Sequence, residues 1–308
     1  MAILVMLVGI SGSGKSVLSE LFKKGGKKIF SSDAIRKELY GNEDDQAHNQ
    51  KVFETLHKRI RSALMNGDDC VYDATNLNRK RRMAFLKSIQ GIPCKKICVV
   101  KAVPFEICIR RDRKRPRSVG ALVIRKQIRQ FELPLTEEGW DKVLIQKENR
   151  VNYPSIFDAF PKEDVSHDCA PYHYEDITEH MLMVCREAQK TEKVSQALIE
   201  AGAVHDVGKF YTKSFYDKKG NRRDRATYYG HENWSAYLYM TSKEYWGQVS
   251  YEDDLRGNCG DGALFLIALH MELYKESKIL DRLSPECLEA LYILKECDDK
   301  GRLLAPKN

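Results

Sequence analysis

GISGSGKS, Gly9 to Ser16, fits the pattern G-x-x-x-x-G-K-[ST]. It follows the apolar run AILVMLVG and opens the helix-like KSVLSELFKK, the strand–loop–helix context that the pattern requires. Glycines let backbone N–H groups approach phosphate oxygens closely. Lys15 then reaches the β/γ-phosphates and the Ser16 hydroxyl ligates Mg²⁺. The helix N-terminus adds the positive end of its dipole. Gly9, Ser11, Gly12, Ser13, Gly14, Lys15 and Ser16 are therefore expected to bind ATP with Mg²⁺.

Outward from this loop the first half alternates two kinds of run. KKIFSSD, DCVYDATN and CKKICVVKAV read as strands. NQKVFETLHKRIRSALMNG, RKRRMAFLKSIQ and PFEICIRRDRKR read as helices. Such a βαβα order predicts an α/β domain, a parallel sheet wrapped by helices, over residues 1–150. In SSDAIRKEL, Asp33 ends a strand, where a carboxylate can take the proton of an attacking hydroxyl. Arg36, one turn on, can hold an acidic substrate group. Asp73 ends the third strand and is placed to help hold Mg²⁺ or to orient the substrate. RRDRKRPR, Arg110 to Arg117, is too basic for a quiet surface helix, because like charges one turn apart repel. A lid over ATP phosphates would neutralise it.

The order and spacing of GISGSGKS, SSDAIRKEL, YDATNLNRKRR and RRDRKR resemble the polynucleotide 5′-kinase family of nucleic-acid end-healing enzymes, over about residues 3–148. The resemblance implies that Lys15 and Ser16 bind ATP and Mg²⁺, that Asp33 is the general base on a 5′-hydroxyl, and that Arg36 contacts the substrate phosphate. It implies that Asp73 shapes the acceptor site and that Arg111 and Arg115 are the lid arginines. Small-molecule P-loop kinases share the loop, the aspartate and the lid, so a nucleoside or small-metabolite kinase stays open as an acceptor class.

The second half changes character. ITEHMLMVCREA, VSQALIEAGAVHDV, GALFLIALHMELY and CLEALYILKE carry apolar residues at helical spacing, and strand signals are few. An all-α helical domain is expected over 165–308, after a proline-bearing stretch between about 148 and 170. Six of the eight histidines lie after residue 160. His180, His205 and His270 interrupt apolar helical runs, and His205-Asp206 sit side by side in one of them. Packing gains nothing from so many ring nitrogens, whereas a divalent metal satisfies imidazole and carboxylate together. His167-Asp168, in an irregular proline-rich stretch, is expected to carry no role.

The order of His180, His205-Asp206, His231, His270 and Asp298, with PYHYEDITEHM and HDVGK, resembles the HD-domain metal-dependent phosphohydrolases, which are helical bundles. The resemblance implies one metal on His180, His205, Asp206 and Asp298, and a second on His231 and His270, with Asp206 bridging. Asp299 is the alternative to Asp298. Lys209 would meet the substrate phosphate, and His173, which precedes the first ligand helix, is a candidate substrate contact. Nitrogen and oxygen donors admit Mn²⁺, Ni²⁺ or Co²⁺ among others.

Composition bounds the rest. The 308 residues are 43% hydrophobic and 31% charged, as in a globular protein of two domains. No run reaches the roughly 20 apolar residues of a membrane span. Nine cysteines without a C-x-x-C pair read as reduced thiols of a cytoplasmic protein. A net charge of +7 suits a phosphate-rich partner. Together the two halves predict an end-healing enzyme for RNA or DNA ends. One module phosphorylates a 5′-OH; the other removes a 3′-phosphate or 2′,3′-cyclic phosphate; a separate ligase then acts downstream. The alternatives are a small-molecule kinase fused to an HD nucleotidase, and a nucleotide-sensing regulator.

Overall fold

AILVMLV is apolar at every position, as expected of a strand covered on both faces. In the computed structural model, which describes residues 1–163, 165–245 and 262–303, it is the central strand of a parallel sheet. The chain divides into two compact units. The first is Met1–Gln127 with Glu132–Val151, and the second is Ile128–Phe131 with the residues from Asn152 onward.

In the first unit the elements run β1 (Ala2–Val8), α1 (Lys15–Lys24), β2 (Lys28–Ser31), α2 (Ser32–Tyr40), α3 (Asn49–Met65) and β3 (Cys70–Asp73). They continue as α4 (Arg79–Ser88), β4 (Cys94–Lys101), α5 (Phe105–Arg113), α6 (Ala121–Arg129) and β5 (Lys142–Gln146). The sheet order is β2-β3-β1-β4-β5, and all the pairings are parallel. Val5, Leu7, Val71 and Val99 form a buried cluster on the sheet, against which Leu18 and Phe22 of α1 pack. The fifth strand escapes the sequence reading. KVLIQ is half-buried throughout and shows neither alternation nor a fully apolar run.

Two residues of the basic run NRKRR are not surface charges. Arg79 and Arg82 are buried. Arg82 donates to both Glu138 oxygens at 2.8 and 2.5 Å, and its Nη1 donates to the carbonyls of Asn76 (3.0 Å) and Leu77 (2.9 Å). This ties down the turn after β3. Arg82→Ala would strand the Glu138 carboxylate in the interior, which costs about 3–5 kcal/mol. Trp140 donates its indole N–H to Glu138 (3.1 Å), so its fluorescence reports the change. The urea midpoint of this unit should drop clearly; an unmoved midpoint would show that water reaches Glu138.

The second unit is mainly helical. Its elements are α7 (Ile177–Lys190), α8 (Gln196–Val204), α9 (Lys209–Thr212), β6 (Ser214–Tyr216), β7 (Arg222–Thr227), α10 (His231–Met240), α11 (Gly262–Leu269) and α12 (Pro285–Lys300). GALFLIAL of α11 is almost wholly buried, and α8, α10 and α12 pack around it. The expectation of an all-α domain is corrected at one place. β6 and β7 form an antiparallel hairpin between α9 and α10. Its strands were hidden because RRDRAT is nearly all charged and exposed, and only the turn residues Asp217, Asn221 and Gly220 (φ 87°) carry a recognisable signal.

Among the described residues seven cysteines are free and Cys287 is disulfide-bonded, which departs from the reading of uniformly reduced thiols. Among the described residues no helix is long and apolar enough to cross a membrane.

Candidate active sites

The phosphate-binding loop leaves the carboxyl end of β1, where open α/β sheets bind their ligands. Gly12 has φ 81°, and a Cβ there would stand 2.4 Å from the Cys108 carbonyl oxygen. Gly14, at φ 89°, is the N-cap of α1. Only glycine serves at these two positions. Lys15 Nζ folds over the loop and donates to the carbonyls of Gly9 (2.8 Å) and Ile10 (2.9 Å). Burial lowers its pKa to about 8, partly offset by Asp73. Ser16 is exposed on the first turn. The Ser13 hydroxyl is buried and has no hydrogen-bond partner.

β2 and β3 end level with each other, since Ser31 pairs with Asp73 in register. Asp73 accepts from the Ser19 hydroxyl at 2.6 Å, and burial raises its pKa. The Ser31 hydroxyl caps α2, which carries Asp33 in its first turn. Arg36 Nη1 donates to Asp33 Oδ1 at 2.8 Å and Nη2 to Asn49 Oδ1 at 2.7 Å, while its Nε is buried without a partner. Lys15, Ser16, Asp33, Arg36, Asp73 and Arg115 line one cavity of about 1490 Å³.

Arg111 is placed differently from Arg115. It grips Glu148 with both Nη atoms, at 3.0 and 2.7 Å. Arg117 lines the cavity and pairs with Asp44 and Glu43, with Asp33 Oδ2 3.9 Å away. Gln127 was not foreseen. Its amide oxygen accepts from the Ser11 backbone N–H (2.7 Å) and its amide nitrogen donates to the Ser11 hydroxyl (3.0 Å), bracing the loop from 116 residues away. No local pattern could have found it.

In the second unit, side chains from five separate places converge. His180 lies on α7, His205 and Asp206 follow α8, His231 opens α10, His270 follows α11, and Asp298 lies near the end of α12. Asp206 Oδ2 is 3.6 Å from His180 Nε2 and 3.4 Å from His205 Nε2. Its Oδ1 is 3.2 Å from His231 Nε2 and 3.8 Å from His270 Nε2. Two groups of three potential ligands thus share Asp206. Asp298 Oδ1 joins the first at 3.0 Å from His180 Nε2. Asp299 points elsewhere, to Lys295 and Arg302.

The outer ring nitrogens explain the orientation. Nδ1 of His180, His205, His231 and His270 faces the carbonyl of Gly301 (3.1 Å), Gly202 (3.1 Å), Tyr228 (2.8 Å) and Ile267 (2.8 Å). A carbonyl only accepts, so each imidazole donates from Nδ1 and turns the lone pair of Nε2 inward. The buried Nε2 atoms of His180 and His205 have no hydrogen-bond partner. Those of His231 and His270 face each other at 3.1 Å. Inward lone pairs beside two carboxylates fit a divalent metal, whose neighbouring ligands must approach one another in this way.

Without a metal, burial works against the charged form of His180, but Asp298, 3.0 Å from its Nε2, and Glu175 outweigh it and raise its pKa to about 9, so a proton is held where a cation would sit. Burial would raise the carboxyl of Asp206, yet Lys209 and His205 hold it well below the usual range. His270, buried beside His231 and His205, is pushed down to about 3.

Lys209 Nζ sits 2.6 Å from Asp206 Oδ2 and 3.0 Å from His167 Nε2. His167, set aside on sequence, is therefore buried inside the site. Its ring stacks on His173 at 4.1 Å and its Nδ1 faces the Glu175 carbonyl at 3.0 Å. Glu175 was missed altogether. Its Oε1 is 2.6 Å from His173 Nδ1 and 3.4 Å from His180 Nδ1, so it orients two rings.

A gluconokinase from Sinorhizobium meliloti aligns at 18% identity with a TM-score of 0.36, over 48% of this chain and 84% of that one. A chain of the Pnkp1/Rnl/Hen1 RNA repair complex aligns at 21% identity and a TM-score of 0.36, over 50% of this chain and 52% of that one. An L-seryl-tRNA(Sec) kinase of Methanococcus maripaludis is 22% identical over 161 residues, 50% of this chain. The chain spans 62% of that relative's length. Residues 4–134 match the model of the AAA domain family. That stretch carries the glycine-rich phosphate-binding loop and four of the five strands of the parallel sheet, the architecture of a P-loop domain.

Proposed function

We propose that the chain is a bifunctional nucleic-acid end-healing enzyme, with a polynucleotide 5′-kinase in residues 1–150 and an HD-type phosphohydrolase in residues 165–308. The observation that carries the reading is Asp206 shared between two imidazole groups, on a chain that also holds a P-loop cavity lined by Asp33 and Arg36. The similarity to an L-seryl-tRNA(Sec) kinase supports a kinase that handles an RNA-linked acceptor. The cavity exceeds the roughly 300–1,000 Å³ of small-molecule sites, which leaves room for an acceptor beside ATP. Phe53, under the Arg36 guanidinium at 5.9 Å, offers a face for a terminal base.

In the kinase step Asp33 takes the proton of the 5′-hydroxyl, whose oxygen attacks the γ-phosphorus. The bond from that phosphorus to the bridging oxygen breaks and ADP leaves. Lys15 and Arg115 carry positive charge toward the phosphoryl oxygens, and Ser16 would hold Mg²⁺. Arg36 restrains Asp33 and sets the positive charge of its guanidinium at the wall of the acceptor cavity.

In the second site His180, His205, Asp206 and Asp298 would hold one divalent metal, and Asp206, His231 and His270 a second. Such metals supply acidity for water and positive charge for phosphoryl oxygens. Lys209 positions Asp206 through its 2.6 Å contact and presents a cation at the same point.

The test is an RNA oligomer bearing a 5′-hydroxyl and a 2′,3′-cyclic phosphate, incubated with γ-labelled ATP and Mn²⁺ or Ni²⁺. Label should appear at the 5′-end and phosphate should be lost from the 3′-side. Label on nucleosides with none on oligomers would replace this reading with a small-molecule kinase.

A further inference from the structure

Beside the second site the β6–β7 hairpin and the 172–174 loop enclose a cleft of about 780 Å³, lined by Tyr174, Phe215, Arg222, Arg223 and Arg225 among others. Arg222, Arg223 and Arg225 are exposed, and none makes a salt bridge to a described residue. Three arginines against the single Asp224 on one short strand form a net positive, anion-seeking surface. Tyr174 and Phe215, which line the cleft, are 51% and 38% exposed. The Arg225 guanidinium lies over the Tyr172 ring at 5.2 Å, and Lys218 Nζ over the Tyr229 ring at 4.7 Å. The acidic members are accounted for. Asp168 pairs with Lys213 at 2.7 Å and Asp217 is occupied by the hairpin turn; Asp224 alone adds a free negative charge.

Exposed aromatic faces interleaved with unpaired cations fit a single-stranded polynucleotide, in which bases stack and phosphates meet the arginines. The cleft also has a direction. His173 lines it, stacks on His167 (4.1 Å) and meets His180 edge-on at 4.8 Å. One end of the cleft therefore abuts the imidazole cluster. We infer that this hairpin cleft binds the last few nucleotides of a single strand and delivers its 3′-end to the Asp206 site. The direction rests on the phosphohydrolase reading; the binding of a strand does not.

The experiment uses the full chain with Mn²⁺ and two substrates, a nucleoside 2′,3′-cyclic monophosphate and a short single-stranded RNA ending in the same group. Replacing Arg222, Arg223 and Arg225 by Gln should raise KM for the RNA and lower the slope of log affinity against log salt by about 2, at about 0.7 per lost phosphate contact. Tyr174→Ala should raise that KM about 5- to 100-fold. Hydrolysis of the mononucleotide should stay within about twofold, since it does not reach the cleft. An unchanged KM and salt slope for the RNA would overturn the inference, as would an equal loss on both substrates. Should the unaltered protein cleave neither substrate, the phosphohydrolase reading fails, and the cleft is judged by binding alone. An RNA with 4-thiouridine at its 3′-terminus should then crosslink within residues 172–174 or 214–227, and crosslinks confined elsewhere would overturn it.

Discussion

Asp206→Ala is expected to abolish removal of the 3′-phosphate while leaving ATP-dependent labelling of the 5′-end intact. Asp206 is the one side chain common to both ligand groups, with an oxygen toward each. Asp298 reaches only the first group, so it offers no replacement for the second. Losing a residue that merely orients a ligand costs about 10–100-fold in metal affinity or activity. Losing the shared ligand should cost more than that, and should also lower the transition-metal content of the purified protein by elemental analysis. Asp206→Asn keeps the volume and separates loss of charge from collapse of the pocket. The 5′-labelling measured in the same tube shows that the first unit is folded, and an unchanged circular dichroism spectrum shows the same of the helical unit. Undiminished phosphate release together with undiminished metal content would refute the assignment.

Lys15→Ala should do the reverse, reducing 5′-labelling by about 10²–10³-fold, the usual cost of removing one preorganised charge from a transition state. Lys15 is placed to matter at this scale. Its ammonium rests on the loop's own carbonyls, in surroundings dry enough to lower its pKa to about 8. Charge in such surroundings interacts with phosphate far more strongly than on the surface. The alanine variant loses only contacts within its loop, so release of the 3′-phosphate should continue. Labelling that survived would mean that Arg115 suffices or that ATP binds elsewhere.

How far the residues could be read from sequence depends on how local each arrangement is. The phosphate-binding loop is contiguous, and its glycines, lysine and serine act within one turn, so the pattern and its context were enough. Asp73 stood out because a strand end is marked by a change of period; Asp33, read as ending a strand, lies instead in the first turn of α2, because the Ser31 hydroxyl caps a helix there. Arg79 and Arg82 were unreadable. Their sequence is that of a solvated basic run, and only Glu138, 56 residues from Arg82, turns it into a buried anchor. The hairpin strands failed for a related reason, since RRDRAT has no apolar face. In the second unit His180, His205 and His270 were noticed because each interrupts a helical apolar run. His167 was dismissed because its own surroundings are irregular, although the chain folds it back against Lys209. Glu175 looked like one acid among 44 acidic residues.

The sequence by itself determined the alternation that builds the parallel sheet, the loop at the end of its first strand, and the set of imidazole and carboxylate residues available to the helical unit. These follow from short-range rules of period, turn and cap. Tertiary structure alone decided that Asp298 and not Asp299 faces His180, that the Gly301 carbonyl turns the Nε2 atom of His180 inward, and that Gln127 braces the loop. It likewise decided that an exposed charged strand stands beside His173. Each of these depends on groups tens to more than a hundred residues apart, and no local preference encodes the direction in which a side chain meets a distant partner.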